Sequence, residues 1–119
     1  MEKEFVPYEL ALKLKELGFD EPCFGMYCKG RFHRLYPNSY KDVPEDFYRE
    51  VDAPTFSQAF RWFREKHNLH SYIEGSYPWF RFYINSEDNM WEGHKHLKFE
   101  EAELACLTKL IEIVESKSE

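Results

Sequence analysis

Cysteine is scarce: Cys23, Cys28 and Cys106 are the only three in 119 residues. An odd number cannot close a disulfide framework, so reduced thiols in a reducing compartment are expected. Glycine (five) and proline (six) are also few, and no low-complexity tract, internal repeat, glycine-rich phosphate loop or dividing linker is present. No apolar run approaches the roughly 20 residues of a spanning helix. The opening Met-Glu-Lys-Glu-Phe lacks the apolar core of a signal peptide, so a cytoplasmic protein without membrane attachment is expected. Positive charge is in short supply: 16 Lys and Arg against 22 Asp and Glu leave a net charge of −6. That balance disfavours general binding to nucleic acid or to anionic membranes.

Aromatic side chains are abundant. Eleven Phe, eight Tyr and three Trp make up 18% of the chain, and 43% of residues are apolar, enough to build a core. The length predicts one domain over 1–119, burying roughly two-thirds of the surface its unfolded form exposes.

The clearest local pattern runs from Asp52 to Leu69. Thr55 and Gln58 have capping-box spacing, Phe56, Ala59, Phe60, Phe63 and His67 share one helical face, and Asn68 suits a left-handed stop. Trp62 falls on the flank of that stripe. Pro7 to Leu17 predicts a first helix, with Pro7 at its first position, Leu10, Ala11, Leu14 and Leu17 on one face, and Gly18 ending it. Cys23 to Tyr27 and Arg31 to Tyr36 predict a hairpin with Gly30 in its turn. Residues 37–54, with Pro37, Pro44 and Pro54, read as a long connection holding one helical turn at Glu45 to Tyr48. His70 to Ile73 and Trp79 to Ile84 predict strands broken near Gly75 and Pro78, and Met90 to Leu97 a further short strand. Phe99 to Glu115 predicts a helix whose apolar arc covers more than half its circumference, as burial against more than one neighbour requires. The expected fold is therefore α+β, a mainly antiparallel sheet of three to five strands packed with three helices, in the order helix, hairpin, helix, strands, helix.

The segments Ala53-Pro54-Thr55-Phe56-Ser57-Gln58-Ala59-Phe60-Arg61-Trp62-Phe63-Arg64-Glu65-Lys66 and Glu100-Glu101-Ala102-Glu103-Leu104-Ala105-Cys106-Leu107-Thr108-Lys109-Leu110-Ile111 resemble short uncharacterised proteins of gut bacteria and their phages. Those proteins share a helix opening near Val6-Pro7-Tyr8-Glu9-Leu10-Ala11. The resemblance covers about half the chain and rests on helix-packing motifs. It implies an accessory protein of phage or mobile-element origin, with no activity and no catalytic residues to carry over.

Chemistry is sparse. His94 and His96 fall on one side of an extended segment and His67 lies three residues from His70, but zinc needs three or four convergent ligands. Cys28 lies beside Lys29 and Arg31 and near His33, yet no orienting group or oxyanion donor accompanies it; Cys106 lies inside an apolar arc, where a thiol is inert. No catalytic, cofactor or metal residue is assigned. What remains is recognition. Trp79, Arg81 and Tyr83 alternate onto one strand face, and Arg31 to Arg34 form a small basic island. Tyr, Trp and Arg dominate interface hot spots. The expected surface is Trp62, Trp79, Arg81, Tyr83, Arg31 and Arg34, serving an unidentified protein partner from a monomer or homodimer. The alternative is a small ligand or nucleic-acid single strand on the same aromatic-basic face.

Overall fold

The computed structural model describes residues 2–34 and 50–117. The chain divides into two compact units, Met1–Gln58 and Ala59–Glu119. The class is α+β, but the strands form two three-stranded antiparallel sheets instead of one.

In the first unit, α1 (Tyr8–Glu16) starts after Pro7, which caps the helix in extended conformation instead of occupying its first position. Gly18 follows with φ 101°, a conformation that costs glycine little. Strands β1 (Gly25–Cys28) and β2 (Arg31–Arg34) pair with Cys28 opposite Arg31, which leaves a two-residue turn. Both turn residues, Lys29 (φ 52°) and Gly30 (φ 78°), are left-handed, matching the twist of the strands they join. The expected irregular stretch is interrupted by β3 (Val51–Ala53), which pairs with the other side of β1 in the order β2-β1-β3. Its Val51 and Ala53 are buried and α1 packs against it. Three residues between prolines are too short for a periodic signal, so the strand is legible only through its pairing. Leu35, Tyr36 and the helical turn expected at Glu45 to Tyr48 lie outside the described residues.

Helix α2 is Phe56–His67. Half of its capping box forms: the Gln58 N–H donates to Thr55 Oγ1 at 3.1 Å, while the Gln58 amide donates to the Pro22 carbonyl at 2.8 Å instead of reaching back. Asn68 takes the expected left-handed φ of 53°.

In the second unit, β4 (His70–Ser76) and β5 (Trp79–Asn85) make a hairpin around Tyr77 and Pro78, joined by a cis peptide. β4 runs straight through Gly75 and is longer than its apolar pattern indicates. β6 (Met90–Glu92) pairs with the other side of β5, giving the order β4-β5-β6, and His96 extends that edge by exchanging backbone hydrogen bonds with Phe80 at 2.7 and 2.8 Å. Helix α3 (Phe99–Lys117) covers one face of β4 and β5. Ala102, Cys106, Leu107, Leu110, Ile111, Ile113 and Val114 are buried, whereas Phe99 and Leu104 at its start stay exposed. Among the described residues no helix is long and apolar enough to cross a membrane.

Candidate functional site

Strand alternation sorts the second sheet into two faces. Ile73, Phe80, Phe82, Ile84 and Trp91 share the face that α3 covers: Phe82 and Ile84 are buried, Phe80 meets Phe99 edge to face at 5.9 Å, and Ser71 hydrogen-bonds the Cys106 thiol. His70, Tyr72, Glu74, Trp79, Arg81, Tyr83, Met90 and Glu92 share the other. This second face is open. Tyr72 is 54% exposed and Met90 66%.

Register explains how the open face is arranged. Tyr72 lies opposite Tyr83, and their rings stack at 5.1 Å with 21° between planes. Arg81 lies opposite Glu74 in the β4–β5 register and donates through Nη1 to Glu92 on β6. Its Cζ is 5.4 Å from the centroid of the Trp79 ring, and Lys95 Nζ is 4.8 Å from the same ring. Contacts of this kind orient an aromatic ring and contribute about 0.5–1 kcal/mol each near the surface. Two rings, a tryptophan flanked by cations and two carboxylates therefore form one ordered patch.

Of the residues selected from the sequence, Trp79, Arg81 and Tyr83 lie together here, each partly exposed. Trp62 does not belong to the surface. It is only 3% exposed, with its ring 5.0 Å from Phe63 and 4.9 Å from His67. The apolar stripe of α2 is rotated toward Trp62, and Phe60 is the residue left half-buried. Arg31 and Arg34 lie on β2 of the first sheet, in the other unit, and alternation puts them on opposite faces of that strand. Tyr72, Glu74, Glu92 and Lys95 were missed from sequence: the β4–β5 register places Tyr72 and Glu74, the β5–β6 pairing places Glu92, and a contact with the Trp79 ring places Lys95.

The sequence-level candidates for chemistry do not converge. Burial pushes the Cys106 thiol up to about 12, against a small lowering from the Ser71 hydrogen bond and a further rise from Glu103. Cys23 and Cys28 are half-buried and form no disulfide, and the Cys23 thiol donates to the Glu21 carbonyl at 3.3 Å. Among the described residues no three His, Cys, Asp or Glu side chains are grouped to hold a metal ion. An open groove of about 400 Å³ in the first unit is lined by Lys15, Asp20, Glu50 and Asp52. Glu50 is already engaged there, accepting from the Tyr8 hydroxyl at 2.6 Å and the Gly30 N–H at 3.3 Å, so it secures the β1–β2 turn to α1. That hydrogen bond to a carboxylate, with burial and the carboxylate's charge, raises the Tyr8 phenol above its usual range. No family model, curated protein or solved structure matches the chain, so its function has to be read from its own residues and geometry.

Proposed function

We propose that the chain is a protein-interaction module, a cytoplasmic accessory or regulatory factor of phage or mobile-element type, that docks a protein partner on the open face of β4, β5 and β6. The observation that carries this reading is the exposed Tyr72–Tyr83 stack beside Trp79 and Arg81 on a sheet whose other face is filled by α3. Tyr, Trp and Arg supply large contact area at low entropy cost and recur at interface hot spots. The ring pair also resembles a base-stacking platform, which supports a small ligand or single strand as the alternative. Charge weighs toward protein. Arg81 already meets Glu92, Glu74 lies opposite it, and Lys95 is engaged with Trp79, so a polyanion meets as many acids as bases.

The test is affinity capture from native host lysate by the purified chain, beside a Trp79→Ala/Arg81→Ala variant shown to be folded by circular dichroism. A protein retained by the wild type and lost by the folded variant is the expected result. Equal retention by both, or none, overturns the reading, and nucleic acid released steeply by salt transfers it to the alternative.

A further inference from the structure

The outer edge of β4 is the longest strand edge left unpaired among the described residues. β3 and β6 have three residues each, and β2 has four, three of them Arg or His. β4 has seven, His70-Ser71-Tyr72-Ile73-Glu74-Gly75-Ser76, with no lysine, proline or bulge to block a further strand. Edges of this kind are normally protected.

The hydrogen-bond pattern shows which groups the edge presents. Phe80 exchanges backbone bonds with His96, and the Gly93 N–H donates to the Phe82 carbonyl at 3.0 Å, so the even-numbered residues of β5 face β6. Its odd-numbered residues then face β4, where their partners are His70, Tyr72, Glu74 and Ser76. The N–H and C=O groups of Ser71, Ile73 and Gly75 consequently point outward.

We propose that this edge pairs with the same edge of a second copy, antiparallel about a two-fold axis at Tyr72, to form a continuous six-stranded sheet. Side-chain complementarity selects this register. With Tyr72 opposite Tyr72 of the second copy, His70 of each copy lies opposite Glu74 of the other, an imidazole facing a carboxylate twice. Outward groups of Ser71 meet those of Ile73 across the seam. The even positions fall in non-hydrogen-bonded pairs, where side chains approach most closely. The Tyr72–Tyr83 stack of each copy then becomes half of a four-ring row. Centring the axis on Ile73 also satisfies the backbone, but it puts Glu74 opposite Tyr72 and His70 opposite Ser76 and loses both imidazole–carboxylate pairs. Self-pairing of this type is isologous, as a closed dimer requires.

This inference uses the strand edge and does not depend on docking at Trp79. Sedimentation equilibrium of the full chain should give twice the chain mass of 14.5 kDa at micromolar concentration. Tyr72→Lys and Tyr72→Glu, each placing like charges face to face on the axis, should each raise the dissociation constant roughly tenfold or more. Mixing the two variants should restore the dimer. A second readout does not rely on charge: with Cys23 and Cys28 replaced by serine, Tyr72→Cys should form a disulfide between copies on mild oxidation, and Ser76→Cys should not. Trp79→Ala/Arg81→Ala should remain dimeric, which separates this proposal from the docking reading. A wild-type mass of one chain, dimers unaffected by either charge, or no recovery in the mixture would overturn it.

Discussion

Replacing Trp62 with alanine should cost far more stability than replacing Trp79, although both tryptophans look alike from sequence. Trp62 is 3% exposed and its ring is packed edge to face against Phe63 and His67 at about 5 Å. Truncating a buried tryptophan removes apolar burial and leaves a cavity, at about 3–5 kcal/mol. Trp79 is only half-buried, and its contacts are with the Arg81 and Lys95 cations. At about 0.5–1 kcal/mol for each cation contact, its removal should cost about 1–2 kcal/mol. Urea unfolding followed by far-ultraviolet circular dichroism resolves the difference. With an m-value of about 1.5 kcal/mol/M for a chain of this size, the midpoint should fall by roughly 2–3 M for Trp62→Ala and by about 1 M for Trp79→Ala. Equal shifts for the two, or a Trp62→Ala shift under about 0.5 M, would refute the core assignment of Trp62 and return it to the surface.

Three further outcomes follow from the packing. Gly93→Ala places a methyl group 2.3 Å from an atom of the Phe82 ring, which is 6% exposed and has little room to move; a loss of about 1–3 kcal/mol is expected, partly recovered by adding Phe82→Leu. Thr55→Ala removes the acceptor for the Gln58 N–H and should cost about 1 kcal/mol by the same urea assay, a neutral result showing that the cap is idle. Burial of Cys106 makes stability pH-dependent: its folded-state value is raised to about 12 from 9.0, so this contribution is whole below pH 9 and is lost as pH rises from there toward 12. Cys106→Ala should flatten that alkaline fall in denaturation midpoint, and an unchanged slope would contradict it.

Long elements were legible because their signals repeat. α1, α2 and α3 carry apolar stripes with capping residues at their ends, and Gly18, Gly30 and Asn68 occupy the positive-φ positions expected of them. Short or tertiary features were not. β3 has three residues and only pairing defines it, and the separation of the six strands among the described residues into two sheets depends on contacts between distant segments. The stripe of α2 admits two rotations, one led by Phe60 and one by Trp62, and only the surrounding core chooses between them. The same limit applies to the site. Alternation alone placed Trp79, Arg81 and Tyr83 on one face, but which side of the sheet α3 would cover, and that Tyr72, Glu74 and Glu92 would join them, required the register. Arg31 and Arg34 were grouped with them because basic and aromatic residues interleave in both segments; the topology assigns the segments to different sheets.

Site-specific photocrosslinking in cells tests the docking face most directly. A photoreactive phenylalanine derivative at Met90, 66% exposed on the open face and on β6, away from the β4 edge, is compared with the same group at Phe24, 65% exposed in the first unit. A discrete protein adduct from position 90 that disappears with Trp79→Ala/Arg81→Ala, and is absent from position 24, is the expected result. No adduct at position 90, or one indifferent to loss of Trp79 and Arg81, would contradict the claim that this face holds a protein partner.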